Sequence, residues 1–429
     1  MILLKGRGKK TARQIKSTIE EANKSAVEKM GTSRPFLIDI KPAMEVFKNM
    51  KKNSISHAGP PIKWERMCGP LKGAVVATMI YEDLAGDWDE AVRSIRRGEI
   101  EFSPNHEYQA VGPMAGVISA SMPVFVVNDR KHGNTCYCRL VENKVQFGAF
   151  DKSAIDVLRY WTDILAPSLA KAVRLSGGID LKAIMARALH MGDELHNRPA
   201  AGTLLFESIM MPFLLDVADK KDISKVARYL SENEIFFLCL SMAACKTMTQ
   251  AAANIEYSTL VTVMARNGTD FGIKVSGLGN KWFTGPAGII DAVYFPGYGK
   301  EDGNPDIGDS AITETAGVGG FALANSPAIL SLIGGTSEDA LRYTKQMRQI
   351  TMGLNDSFTI PILNFQGTAT GIDLRKVVRT GILPIIDTAV AHRKAGIGYI
   401  GAGLVNPPMG AFHQALYGFG QKYDLLKDD

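Results

Sequence analysis

Gly396-Ile-Gly-Tyr-Ile-Gly401 carries the G-x-G-x-x-G spacing of a dinucleotide-binding turn, and its reading decides the fold class. That fingerprint needs a strand before it and a helix after it, so that the helix N-terminus meets a pyrophosphate. Here a helix-like stretch, 385–395, precedes it, and Gly403 with Pro407-Pro408 forbids the following helix. The Rossmann reading fails on context. Working outward, residues 268–429 hold 26 of the 42 glycines, arranged as turns between short apolar runs. Phe271-Gly-Ile-Lys-Val275, Ile360-Pro-Ile-Leu-Asn364 and Tyr399-Ile-Gly-Ala-Gly-Leu-Val405 read as strands, with helices over 337–352 and 385–395. Strands and helices mixed without βαβ alternation indicate α+β.

No glycine falls between Gly202 and Gly268, and residues 151–263 read as helical. Ile155, Leu158, Leu165 and Leu169 recur at helical spacing, and Asp180 is placed to cap a helix over 181–194. Further helices follow over 204–217, 223–229 and 235–253. Toward the N-terminus, 17–30 reads as a helix and 35–40 as a strand. Residues 73–80 form a buried segment of either type, and 87–97 a charged surface helix. Strands over 123–128 and 135–140 flank a hairpin turn at Lys131-His-Gly-Asn134. The expected organisation is an N-terminal α/β part (1–150), a central helical block (151–263) and a glycine-rich α+β part (264–429).

The 429 residues are 46% hydrophobic, 22% charged and 8% aromatic, which excludes disordered, collagen-like and coiled-coil chains. The net charge of +5 is nearly accounted for by Lys5, Arg7, Lys9 and Lys10. No aromatic residues interleave with these cations as a nucleic-acid platform requires, so no nucleic-acid partner is expected. Five cysteines form no C-x-x-C pair, and Cys136-x-Cys138 is too tight for an ordinary disulfide. Reduced thiols and a cytoplasmic location follow. Met1–Leu4 is too short for a signal-peptide core, and the apolar run 235–245 is about half a bilayer span. No membrane partner is expected.

Five polar and glycine-rich clusters carry possible chemistry. His57-Ala-Gly-Pro-Pro61 with Trp64-Glu-Arg66, and Asn105-His-Glu-Tyr108 before Val111-Gly-Pro-Met-Ala-Gly116, set histidines among rigid turns. His190-Met-Gly-Asp-Glu-Leu-His-Asn-Arg198 crowds useful groups at a helix end, with His190, Asp193 and Asn197 on one face if the helix persists. Glu194 and Arg198 then make an i,i+4 pair. Arg266-Asn-Gly-Thr269 follows the helical block. Gly308-Asp-Ser-Ala-Ile-Thr-Glu314 leads into Gly317-Val-Gly-Gly320, a run whose N–H groups converge as an anion cradle does, or which merely packs tightly. There is no Walker loop and no G-x-S-x-G elbow.

Taken together, His57-Ala-Gly-Pro-Pro, Val111-Gly-Pro-Met-Ala-Gly, Met191-Gly-Asp-Glu-Leu-His-Asn-Arg, Arg266-Asn-Gly, Asp306-Ile-Gly-Asp-Ser-Ala-Ile-Thr-Glu-Thr and Gly401-Ala-Gly-Leu-Val-Asn-Pro-Pro resemble the bacterial YlbE/YahG-like family. The resemblance runs from about residue 20 to the C-terminus. Val141-Glu-Asn-Lys-Val-Gln146 departs from it, lacking a glycine-rich run. The resemblance implies companion proteins of the FdrA type, which are succinyl-CoA-synthetase-like, and carbamate kinase. It also implies a role like that of the AllG-type subunit of oxamate carbamoyltransferase in allantoin catabolism.

Carbamoyl transfer requires cations and N–H dipoles on a phosphate, a donor on the carbamoyl oxygen and a cation on the acceptor's carboxylate. It requires no metal and no redox cofactor. Arg266 with Asn267, Ser310, Gly317, Gly319 and Gly320 is expected to hold the anion, and His57 or His106 to polarise the carbonyl. Arg198 is expected on the carboxylate, with Arg66, Asn197 and His196 in the binding set and Glu65, Asp193 and Asp309 orienting the others. The expected partners are carbamoyl phosphate, an oxamate-like acid, an FdrA-like subunit and further copies of the chain. Two other readings stay open. One is a non-catalytic or half-site subunit completed by its partners; the other is a metal-dependent amidohydrolase using His190, Asp193, Glu194 and His196.

Overall fold

The computed structural model describes residues 12–217 and 219–426, so the basic cluster at Lys5–Lys10 and the segment Met1–Leu4 lie outside the described residues. The fold is mixed α+β, with several small sheets and no barrel among the described residues. A five-stranded sheet runs in the order Ala110–Val111, Thr135–Arg139, Pro123–Asp129, Pro35–Pro42, Ile179–Asp180. The hairpin expected at its centre forms, with Val124 opposite Arg139 and Asn128 opposite Thr135. A small second sheet, Glu101–Pro104, Ser54–His57, Ile118–Ser119, carries His57 at the end of its middle strand and His106 just beyond Pro104.

Helices dominate from Lys152 to Ala251. Asp151 and Asp180 cap two of them by accepting from Ala154 N and Ala183 N. Phe237–Ala251 is buried on every side from Phe237 to Thr249, which explains an apolar run without a polar stripe. Its side chains join a core continuous with the five-stranded sheet. The C-terminal sheets are Phe283–Pro286, Asp270–Val275, Val261–Asn267, Ile307–Gly308, then Asp291–Tyr294, Tyr399–Val405, Ile386–Ala391, and a hairpin of Thr351–Ile360 with Gln366–Ile372. They enclose a second core that also takes Ile15 and Ile19 of the first helix, Ala12–Thr32.

Several local expectations are corrected. Residues 385–395, read as a helix, contain the strand Ile386–Ala391, antiparallel to Tyr399–Val405. It is buried almost throughout, so no two-residue alternation shows, and its β-branched Ile386, Thr388 and Val390 were the available signal. Residues 360–364 form the turn of the 351–372 hairpin, with Asn364 and Phe365 at positive φ. The helix expected to 194 ends at His190, because Gly192 takes φ +97. Ambiguous 73–80 is helical, within Gly69–Tyr81. Helix Ala200–Val217 is long and apolar enough to cross a membrane by length and composition. Its Leu205, Phe206, Met210 and Leu214 nonetheless join the first core, leaving Leu204 and Leu215 exposed. The glycine fingerprint at 396–401 leads into a strand, so no helix N-terminus faces it.

Candidate functional site

The chain turn after His190 builds the floor of the site. Asp193 accepts from Ala201 N (3.0 Å) and Gly202 N (2.8 Å), capping the first turn of Ala200–Val217, and Arg198 closes on it at 3.3 Å. Burial pushes the Asp193 carboxyl up to about 6 against those helix amides. Glu194 folds back inside the same turn, accepting from His196 N at 2.8 Å and from Arg198 N. The carboxylates are thus spent on the turn's own amides, and His196 is aimed inward.

There His196 Nδ1 meets Glu314 Oε1 at 2.8 Å and Asp387 Oδ1 at 3.2 Å. The glycine run supplies the lid of this cluster. Gly319 N donates to Glu194 O (2.7 Å), Gly320 N to Glu314 Oε1 (2.9 Å) and Gly317 N to Thr313 O (3.0 Å). All three amides therefore have acceptors within the chain. Gly319 sits at φ +62, and a Cβ there would lie 2.2 Å from Glu314 Oε1. Burial pushes Glu194 well up and Glu314 up to about 7, despite the nearby imidazole. Burial disfavours a charged His196, but Glu314 and Asp387 overcome it and hold the imidazole protonated up to about 10. Burial likewise opposes the Asp387 charge, and His196 keeps that carboxyl low.

Above the cluster lies a cavity of about 550 Å³ where the N-terminal sheets, the helices and the C-terminal sheets meet. His196, Asn197, Ser310 and Thr388 line its polar side; Met114, Phe147, Leu238 and Tyr399 line its apolar side. Exposed Glu232 and Glu234 mark its mouth. Three lining amides carry buried atoms with no hydrogen-bond partner: Asn197 Nδ2, Gln146 Oε1 and Asn233 Oδ1. Gln146 is held by Glu142, which accepts from the backbone N of Lys144, Val145 and Gln146 and pairs with buried Arg139 at 3.0 Å. The Val141–Gln146 stretch that departs from the family pattern is thus a carboxylate-centred turn at the cavity wall.

Behind the wall, Arg266 is fully buried in a bidentate pair with Asp306 (2.6 and 2.9 Å). It also donates to Gly308 O, Ser310 Oγ and Thr388 Oγ1, so it fixes two cavity hydroxyls and does not itself line the cavity. Asp309 gathers the N-terminal motifs. It accepts from Gly59 N (2.8 Å), Asn105 Nδ2 (2.9 Å) and Gly112 N (3.0 Å). Gly59, at φ +84, is forced by contact with the Arg266–Asn267 backbone at 2.4 Å from a would-be Cβ. Asn267 locks the same junction, donating to Pro60 O and accepting from Thr269 N and Asp270 N. His57 Nδ1 bonds Ala58 O at 2.8 Å, while its Nε2 and both nitrogens of His106 find no hydrogen bond. His106 Nε2 stands 3.4 Å from Asp309 Oδ1. Glu65 and Arg66 are outside this assembly, on an exposed turn where Arg66 pairs with Asp270 at 2.7 Å.

The structure therefore brings His196, Asn197 and Ser310 into one cavity. It places Arg266, Gly319, Gly320 and Asp309 directly behind that cavity, and separates Glu65 and Arg66 from it. The amidohydrolase set is not assembled: exposed His190 bonds Thr359 Oγ1 and Asp193 caps a helix. Sequence reading missed Glu314, Asp387, Gln146, Asn233 and Thr388. Glu314 lay inside a quoted motif, whereas Asp387 was hidden by the helical reading of its strand.

Burial lowers the His106 pKa from the ordinary 6.5 to about 4, ahead of the opposing pull of Asp309. A depressed folded-state pKa contributes stability that is complete above pH 6.5 and lost as pH falls through 4, reaching about 3 kcal/mol at pH 4. Urea midpoints between pH 7 and pH 4 are expected to fall more steeply in the native chain than in His106→Gln. Equal slopes would remove this role.

A family model described as oxamate carbamoyltransferase subunit AllG matches residues 100–310. The chain is 46% identical to the uncharacterised protein YahG of Escherichia coli K12, over 95% of this chain and 87% of YahG. It is 41% identical to the oxamate carbamoyltransferase subunit AllG of the same organism, over 93% of this chain and 97% of AllG. A crystal structure of a conserved protein of unknown function from Enterococcus faecalis V583 superposes with a TM-score of 0.94 at 46% identity. That match covers 95% of this chain and 99% of the other. The chain belongs to the AllG/YahG family.

Proposed function

We propose that the chain is a subunit of a cytoplasmic carbamoyltransferase, holding the amide-bearing acceptor of a carbamoyl group in the cavity above His196. The observation that carries this is the set of unsatisfied lining amides. Buried polar groups are almost always paired, so one orphan donor and two orphan acceptors around one cavity mark the complement of a missing polar ligand. Asn197 Nδ2 suits a carbonyl oxygen, and Gln146 Oε1 and Asn233 Oδ1 suit an –NH2, which together describe a primary amide such as oxamate. The His196 imidazole adds a ring N–H donor for a carboxylate or for the carbamoyl oxygen. In the transfer, the acceptor nitrogen bonds the carbamoyl carbon as the C–O bond to phosphate breaks. Phosphate leaves with the electron pair, and the nitrogen's proton goes to it.

The half-site reading is favoured for the phosphate. Among the described residues that line the cavity there is no Lys or Arg, and Arg266 is fully paired with Asp306. A phosphate needs such cations, so a partner subunit supplies them across the mouth at Glu232 and Glu234. The relative named as a subunit, AllG, and the resemblance to companions of FdrA-like proteins support that assembly. An FdrA-like chain is the proposed partner, with further copies of this chain in the complex.

Asn197→Leu and Asn233→Leu, in complexes co-expressed with the FdrA-like partner, are expected to lose about 10- to 100-fold in kcat/KM for oxamate. Stability should hold or rise, because each substitution removes an orphan polar atom. Unchanged kcat/KM in both would overturn the acceptor site.

A further inference from the structure

We propose that His196, Glu314 and Asp387 bind a divalent first-row transition ion, of the Mn2+ or Zn2+ class, beneath the cavity. One ligand atom from each residue lies within 4.8 Å of the others, and all three residues are buried. Nδ1 of His196 is 2.8 Å from Glu314 Oε1 and 3.2 Å from Asp387 Oδ1. Donors on an ion at about 2.1 Å stand about 3 to 3.4 Å from each other in octahedral or tetrahedral geometry, so little movement admits the ion.

Asp387 gives an independent indication. Both of its oxygens are buried, and apart from the His196 Nδ1 contact at 3.2 Å they take no hydrogen bond, although a buried carboxylate ordinarily takes several. Glu314 is held in place for the task, its Oε2 accepting from Thr313 Oγ1 at 3.0 Å and its Oε1 from Gly320 N. Such outer contacts orient metal ligands. Charge points the same way. Apart from the His196 imidazole, neither Glu314 nor Asp387 pairs with a cationic side chain among the described residues, so a dication adds countercharge where only the imidazole stands. One imidazole with carboxylates and no thiolate suits Mn2+, Fe2+ or Zn2+. The inference goes beyond the acceptor reading and does not depend on it.

The test uses the full-length chain freed of tag histidines and stripped by a chelator. At pH 8, Mn2+ is titrated by electron paramagnetic resonance and Zn2+ by elemental analysis after desalting. About one equivalent of ion per chain is expected in the native chain. In Asp387→Asn and Glu314→Gln, with folding checked by circular dichroism, affinity should fall about 100-fold or more. Absence of stoichiometric binding of both ions to the native chain overturns the proposal, even if neither variant folds. So does native-like affinity in Asp387→Asn. Since the readout is ion binding, a negative result leaves the acceptor site standing.

Discussion

Gly319→Ala is expected to lower stability by about 3 kcal/mol and transferase activity of the assembled complex by about 100-fold. Two physical costs add. An L-residue at φ +62 costs about 1 kcal/mol relative to glycine. The new methyl would also stand 2.2 Å from Glu314 Oε1 and 3.2 Å from His196 Cβ. That oxygen cannot step aside, because Gly320 N and His196 Nδ1 both hold it, and overpacking of this kind costs about 1–3 kcal/mol. Relief requires the imidazole to shift by about an ångström, enough to spoil a positioned donor. Gly98→Ala is the control. Gly98 has φ +75 with nothing within 4 Å of a new Cβ, so it should lose only the backbone share and keep activity. Urea melts and phosphate release measure the pair; equal losses in both would show that crowding at the cluster is immaterial.

Arg266→Ala should be the most destabilising single change at the site, by about 3–5 kcal/mol, because Asp306 is then a buried carboxylate with no cation. Ser310 and Thr388 lose the donor that fixes them at the cavity wall, so activity is lost with stability. The double variant Arg266→Met/Asp306→Leu separates the two effects. Removing both charges should recover much of the stability, as replaced buried ion pairs often do, without restoring activity. Recovery of full activity would show that the hydroxyls need no anchoring. Activity intact in Arg266→Ala itself would refute any role of this residue in building the site.

The contrast between Glu314 and Asp387 shows how far the sequence was legible. The 123–140 hairpin, the helical block and the absence of a dinucleotide fold could be read because turn chemistry and helical spacing are local signals. In sequence Asp193 is expected to orient its neighbours and Glu194 to pair with Arg198. The helix stops at Gly192, and the turn's own amides consume them, a fact set by backbone geometry. The glycines of 317–320 were read as an anion cradle or tight packing; their amides point at Glu194 and Glu314 of the same chain. Arg266 attracted a ligand role by its chemistry, yet Asp306, 40 residues on, claims it. Asp387 was beyond reach. Its strand is buried on both faces, so periodicity vanished, and its partner His196 lies 191 positions earlier. Long-range pairing of buried charges leaves no local pattern.

If this chain carries the acceptor half of a carbamoyltransferase, carbamoyl transfer itself can be followed. The chain is co-expressed with an FdrA-like partner, supplied with 13C-labelled carbamoyl phosphate and oxamate, and observed by carbon NMR. Oxamate-dependent growth of an N-carbamoyl signal with matching phosphate release is expected, absent when this chain is omitted and reduced at least 10-fold with Asn197→Leu. Transfer at an equal rate by the partner alone, or none by the intact complex, would contradict it.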